Sequence, residues 1–314
     1  MKKFLGLAAG IFFCAALLIG GSFSKVEAAT DGMQLFREAL TKTSPNDNYR
    51  IFHEDIFFIA PDFQVDLDFL VKLNKDDLKL AGELFFWSMG ETGKTSEQKI
   101  PFHIQQVGND MKIYYETDKK WYVYDAPSVA AHFADFLATP TASEIDEMIA
   151  DVKEVNVLQD SDSRCTLLVK LDSERIADEM VKESAKNPAD KGTAEDSALQ
   201  ETVLKYMEQG CRNSDIWYVW TIDKQNWRTL TISLNLSDLI HSVAFAALND
   251  ETQQWPDALK VVFETIAYYS DTKAYTTYMS DAAAAQFELP KKALKAKPVK
   301  DLEEGKPGQT QTGK

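Results

Sequence analysis

The chain has 314 residues, of which 45% are hydrophobic and 26% charged, a balance that argues against a disordered, collagen-like or multi-span membrane protein. Acidic residues outnumber basic ones by 49 to 34, which gives a formal net charge of −15. Such a surface repels phosphate backbones, so the composition excludes nucleic acid as an expected partner.

The first 29 residues have the pattern of a secretory signal peptide. Lys2 and Lys3 precede an apolar run over residues 4–21, and Ala28-Ala29 provides small residues at the predicted cleavage point. The run is broken by glycines and is short for a membrane span, which disfavours an uncleaved anchor. Cys14 is not preceded by the small residues that lipid-modifying enzymes require. We therefore expect a secreted or periplasmic protein that is not lipidated.

The first half of the mature chain predicts one helix followed by a run of strands. Asp31–Lys42 has apolar residues at helical spacing. The period then changes to two, because apolar residues alternate with mostly polar ones from Phe63 to Leu73. Further segments repeat this strand pattern: Leu78–Phe86, Ile100–Ile104, Met111–Glu116 and Trp121–Tyr124. Strands at such short intervals indicate an antiparallel meander.

The second half of the chain contains both segments with helical spacing and segments with the two-residue period of strands. Residues 126–151 predict helices, and the clearest hairpin joins Asp215–Asp223 to Trp227–Leu236. The other predicted strands are Val152–Leu158, Cys165–Leu171 and Val261–Tyr269, and the other predicted helices are Ser173–Lys186, Ala198–Gln209 and Ser237–Leu248. The tail 291–314 is rich in Lys, Pro, Gly and polar residues, so we expect it to be disordered.

This order of elements predicts an α+β fold in which one curved antiparallel sheet, a half-barrel, wraps around helices. The predicted domain covers residues 30–290, with a helical insertion near residues 173–212. Two β-rich halves that separate near residue 150 are the alternative organisation.

Removal of the leader leaves two cysteines, Cys165 and Cys211. An even number in an exported protein predicts a disulfide, and closing a loop of this length is worth about 4 kcal/mol in the chain-entropy picture. Two free thiols are the alternative.

No motif predicts catalysis, a metal or a cofactor. The four histidines are scattered and form no zinc-binding pattern. Gly93-Lys94-Thr95 lacks the earlier glycine of a phosphate loop, and Asp160 and Asp162 lack the rest of a calcium loop. Adjacent acidic residues such as Glu54-Asp55 are expected by chance in a chain with 49 carboxylates. We therefore expect a protein that is not an enzyme.

Aromatic residues are abundant in the predicted strands. The chain has 18 Phe, 11 Tyr and 6 Trp, and Trp217, Tyr218 and Trp220 place large rings on both faces of one strand. A core on each side of the sheet is one explanation. The other is an apolar cavity on the concave face, with Phe69, Phe86, Phe102 and Trp220 as candidate lining residues.

The chain resembles the bacterial envelope superfamily of lipoprotein-carrier-like proteins that includes LolA and LppX. The resemblance is carried by the order of elements, by Lys120-Trp121-Tyr122-Val123-Tyr124, and by Phe287-Glu288-Leu289-Pro290. It implies a half-barrel whose hollow binds acyl chains, and no catalytic residues. We therefore expect a lipid or another apolar or amphipathic small molecule as the ligand. The alternative is an envelope scaffold that uses the sheet surface to bind a protein partner.

Overall fold

The structure is a computed structural model that describes residues 31–42, 50–74, 77–90, 93–107, 110–126, 141–186, 194–279 and 287–298. The helices in these residues are α1 (Asp31–Lys42), α2 (Ala142–Ala150), α3 (Ser173–Lys186), α4 (Ala194–Arg212), α5 (Ser237–Leu248), α6 (Asp257–Tyr269) and a 3-10 turn (Ala293–Lys295). The strands are β1 (Arg50–Ala60), β2 (Phe63–Asn74), β3 (Asp77–Met89), β4 (Thr95–Val107), β5 (Asp110–Thr117), β6 (Lys120–Ala126), β7 (Val152–Asp160), β8 (Arg164–Leu171), β9 (Trp217–Asp223), β10 (Arg228–Asn235), β11 (Asp271–Met279) and β12 (Lys297–Pro298). The predicted signal peptide lies outside the described residues, as does most of the predicted helical segment before α2.

All twelve strands belong to one curved, unclosed sheet in the order β12-β6-β5-β4-β3-β2-β1-β11-β10-β9-β8-β7. Two antiparallel meanders, β1 to β6 and β7 to β11, meet where β1 pairs with β11 over Ile51–Ile59. The predicted α+β half-barrel is therefore confirmed, and both meanders share one sheet.

The main core lies between the β7–β10 half of the sheet and the helices. Strand β8 alternates as predicted, and its side chains Cys165, Leu167 and Val169 are fully buried. Helix α1 covers this half with Phe36, whose ring meets the Trp220 ring edge-to-face at 5.7 Å between centroids. Helices α3, α4 and α5 complete the cluster. Burial of apolar surface on one side of β7–β10 thus fixes which face of the whole sheet points inward.

The segment Val261–Tyr269 is a correction to the predicted elements, because it forms helix α6 rather than a strand. The helix follows Pro256, whose backbone carbonyl accepts hydrogen bonds from the amides of Leu259 and Lys260. Strand β11 comes directly afterwards and carries the pairing with β1. The tertiary context of the segment, between Pro256 and β11, therefore overrides the strand propensity of its β-branched residues.

The chain after residue 286 crosses the outer face of the sheet. Phe287 packs in a buried cluster with Ile51, Leu70 and Ala81, and β12 pairs in parallel with the edge strand β6. Residues 291–298 are thus ordered by the 3-10 turn and β12, so the prediction of disorder from residue 291 is wrong for this part. Residues 299–314 lie outside the described residues.

Candidate ligand-binding face

The strand register places one row of side chains across the inner face of the first meander. Cross-strand pairing links, from β11 to β6, the residues Thr276, Glu54, Phe69, Gly82, Phe102, Tyr115 and Tyr122. We call this set the Glu54 row. Neighbouring strands lie about 4.8 Å apart, so the row runs for about 24 Å along the sheet from Glu54 to Tyr122.

Aromatic rings dominate the Glu54 row, and Gly82 allows two of them to approach. The Phe69 and Phe102 rings stand on either side of Gly82 with their centroids 6.2 Å apart. At the far end, Tyr115 and Tyr122 stack at 5.6 Å. The row therefore offers a hydrocarbon-like track with polar groups at both ends.

Several large apolar side chains on this part of the inner face are only half-buried, although Val65, Val71 and Met111 are buried. Leu84 and Phe86 on β3 and Ile100 on β4 keep part of their surface accessible. On β8 the corresponding side chains are fully buried, as for Leu167 and Val169. Soluble proteins rarely leave contiguous apolar surface accessible without a use for it. The contrast between the two halves marks the inner face of β1–β6 as the candidate site.

Three of the four predicted lining residues share this inner face. Phe69 and Phe102 lie in the Glu54 row, and Phe86 lies nearby, opposite Val65. Trp220 faces the same side of the sheet but is 5% exposed, sits against Phe36 and donates its indole N–H to the Thr229 hydroxyl at 3.1 Å. Trp220 is therefore part of the packed core, because helix α1 fills the space in front of it.

Glu54 is a candidate site residue that the sequence did not indicate. Its Oε1 accepts a hydrogen bond from the Thr276 hydroxyl at 2.7 Å, and its neighbour across β2 is Phe69. Burial raises the pKa of Glu54 to about 7, although the Thr276 bond and His53 act in the opposite direction. Adjacent Asp55 points to the outer face, since successive strand residues alternate. Glu54 and Asp55 are therefore adjacent in sequence but lie on opposite faces of the sheet.

Glu54 makes the stability of the fold depend on pH. The unfolded carboxyl has the ordinary pKa of 4.5, so the folded state holds more protons between pH 4.5 and about 7. Stability therefore falls as the pH rises through this window, by about 1–2 kcal/mol after allowance for partial exposure. Urea denaturation at several pH values should show this loss in the wild type and a flatter profile in Glu54→Gln. The control Glu97→Gln, at an exposed carboxyl on the outer face of β4, should keep the wild-type profile. A Glu54→Gln profile equal to the wild type would contradict the assignment.

The outer face carries most of the charged side chains of the first meander. His53 Nε2 lies 3.1 Å from Asp68 Oδ1, and Lys99 donates to Glu83 at 2.8 Å. Burial raises the pKa of Asp66, and the nearby Asp55 raises it further. The outer face of the first meander therefore combines charged side chains with the apolar cluster under Phe287, whereas its inner face is mainly apolar.

Two surface grooves lie away from the inner face. One, of about 470 Å³, runs between α4 and α5 and is lined mainly by polar side chains such as Gln209, Asn213 and Asn249. The other, of about 610 Å³, lies beside β4 and β5 and includes Glu97, Lys99 and Glu116. Their polar lining does not match an apolar ligand.

The two cysteines are free thiols, so the predicted disulfide between Cys165 and Cys211 is not present. Cys165 lies opposite Ile222 near the start of β8, whereas the Cys211 thiol donates to the carbonyl of Ser173, beyond the end of β8. The six residue steps from Cys165 to Leu171 span about 20 Å of strand. A disulfide requires Cα atoms about 4.4–6.8 Å apart, which this separation excludes.

Burial should make both thiols unreactive in the native protein. It raises the pKa of Cys165 to about 11 and that of Cys211 to about 12, so little thiolate forms at neutral pH. Titration with a thiol reagent should find almost no reaction in buffer and two thiols per mature chain in denaturant, without added reductant. An unprocessed chain, which retains Cys14, should give three. A mature chain with no thiols in denaturant would mean that a disulfide forms.

In the part of the chain that the structure describes, no group of three or more His, Cys, Asp or Glu side chains is placed to hold a metal ion. None of the described helices has the length and apolar character needed to cross a bilayer.

Comparisons with known proteins find similarity among solved structures. No protein-family model matches the sequence, and no curated protein matches it. Among solved structures, the Mycobacterium tuberculosis lipoprotein LppX is similar over 80% of this chain and 95% of its own, with a TM-score of 0.34 and 8% sequence identity. A function for this chain has to be supported by its own geometry.

Proposed function

We propose that this protein binds an apolar or amphipathic, lipid-like small molecule on the inner face of β1–β6. The observation that carries the proposal is the difference between the two halves of one sheet. The inner side of β8 is sealed by helices, whereas Leu84, Phe86 and Phe102 on the first meander stay half-buried. Transfer of such side chains from water to a hydrocarbon ligand is favourable at about 25 cal/mol per Å².

The leader pattern supports a location outside the cytoplasm as part of this proposal. Lys2, Lys3, the apolar run and Ala28-Ala29 favour export and cleavage. A carrier or receptor for lipid-like molecules in the envelope or the medium fits a chain with an acidic outer surface and an apolar inner face. The mass of the mature protein recovered outside the cytoplasm tests this part; a chain that keeps residues 1–29 would contradict it.

The binding proposal is tested by extraction and by titration. Organic-solvent extracts of the purified protein, examined by mass spectrometry, should contain at least one apolar compound. Delipidated protein should then bind decan-1-ol in calorimetric titrations. Absence of both an extracted compound and decan-1-ol binding would overturn the proposal.

Paired variants separate the two faces. Leu84→Gln changes the inner face and Phe85→Gln changes the next residue, which points outward. Leu84→Gln should weaken decan-1-ol binding about ten-fold, because a buried Leu side chain contributes about 1.5 kcal/mol or more. Phe85→Gln should leave the affinity unchanged. Equal losses in the two variants would place the ligand elsewhere.

A further inference from the structure

Glu54 is the carboxyl group that stands inside the apolar track. Among the described inner-face positions of β1–β5, no other carries a carboxylate. Its cross-strand neighbours are Thr276 on one side and Phe69 on the other. Along β1, Ile56 is the next inner-face residue. A carboxyl in such surroundings costs free energy unless its hydrogen-bonding capacity is used.

The protein satisfies only part of that capacity. A carboxylate has two oxygens with about four acceptor positions. In the described part of the chain, Thr276 is the one hydrogen-bond donor to Glu54, through Oε1. Its neighbours on β1, His53 and Asp55, both point to the outer face, where His53 pairs with Asp68. Neither Phe69 nor Ile56 can donate to the remaining acceptor positions, and Thr276 is neutral.

We propose that Glu54 binds the hydroxyl group of an uncharged amphipathic ligand whose hydrocarbon part lies along the Glu54 row toward Tyr115. The inference rests on the proposed function and adds the class of ligand and its orientation. A hydroxyl is both a donor and an acceptor, so it pairs with Glu54 as a carboxylate and as a carboxylic acid. This matters because both forms of Glu54 are populated near neutral pH.

A ligand that ends in a carboxylate does not share this advantage. Once Glu54 is ionised, two carboxylates would stand close together in an apolar environment and repel each other. The site should therefore prefer an alcohol to the fatty acid of the same chain length. The preference should grow as the pH rises through the ionisation of Glu54, because Phe69 and Ile56 beside it carry no charge that could compensate.

Calorimetric titration of decan-1-ol and decanoic acid tests the inference. Well above neutral pH, the wild type should bind the alcohol at least ten-fold more tightly than the acid, and at mildly acidic pH the ratio should shrink. Glu54→Gln should reduce the ratio at high pH about five-fold or more and remove its dependence on pH. The control Asp55→Asn, a neighbouring carboxyl on the outer face, should behave as the wild type.

The outcomes distinguish this inference from the proposed function. If the wild type binds neither compound, the proposed function fails. If it binds both, and Glu54→Gln keeps the wild-type ratio at both pH values with an unchanged circular dichroism spectrum, Glu54 does not select the ligand and only the inference is overturned. The second variant Thr276→Val leaves the carboxyl in place and should retain the preference for the alcohol, whereas its loss there would also contradict the inference.

Discussion

Replacement of Trp220 by alanine is expected to lower the free energy of unfolding by about 4 kcal/mol, as for other large aromatic side chains removed from a core. The indole is 5% exposed, contacts the Phe36 ring and uses its N–H in a bond to Thr229. The substitution therefore leaves a cavity beneath α1 and an unpaired hydroxyl. Urea denaturation followed by circular dichroism measures the change.

Trp87 provides the matched control for Trp220. It lies on the outer face of β3 opposite Gln64 and is half-buried. Trp87→Ala should cost about 1 kcal/mol, since less apolar surface is lost from the folded state. Similar losses in the two variants would contradict the assignment of Trp220 to the packed core.

Replacement of Gly82 by alanine should destabilise the protein by about 3 kcal/mol, although an alanine in a strand is normally better than a glycine. A Cβ atom at Gly82 would lie 2.2 Å from the Asp68 carbonyl oxygen and 2.4 Å from the Phe69 Cβ. Both contacts involve the adjacent strand β2, so the backbone has to move. The same change should disturb the approach of Phe69 and Phe102 and weaken decan-1-ol binding.

Gly90 is the control for the effect of removing a glycine. Its nearest neighbour for an added Cβ is the Lys94 carbonyl oxygen at 3.7 Å, an ordinary contact. Gly90→Ala should therefore be neutral or stabilise the fold by up to about 1 kcal/mol. The account of Gly82 would be wrong if both variants had the same thermal midpoint.

The strands and most helices were predictable because burial on one face imposes a period on the sequence. Phe63–Leu73 and Cys165–Leu171 alternate cleanly, and the structure places both in antiparallel strands. Asp31–Lys42 is helical over the predicted range. The prediction for Val261–Tyr269 was wrong because its β-branched and aromatic residues are typical of a strand, whereas the segment forms a helix between Pro256 and β11. The ordering of residues 291–298 depends on long-range pairing with β6, which local composition does not show.

The candidate site was only partly predictable because it depends on the strand register. Phe69, Phe86 and Phe102 followed from strand alternation, but sequence alone did not show that α1 fills the space before Trp220. In β1, apolar residues occur at both odd and even positions, so the sequence did not reveal which face Glu54 occupies. The pairing of Glu54 with Thr276, far along the chain, places it on the inner face. The disulfide prediction was wrong because an even number of cysteines does not show how far apart the two thiols lie in the fold.

Photocrosslinking tests the central claim most directly. The probe is a long-chain alcohol that carries a diazirine at the end of its hydrocarbon chain. The complex of this probe with the wild-type protein is irradiated, and the residues that carry an adduct are identified by peptide mass spectrometry. We expect adducts on inner-face residues of β3, β4 and β5, among them Leu84, Phe102 and Tyr115. Adducts confined to the α4–α5 groove or to outer-face residues, or their absence at saturating ligand, would contradict a ligand-binding role for the half-barrel.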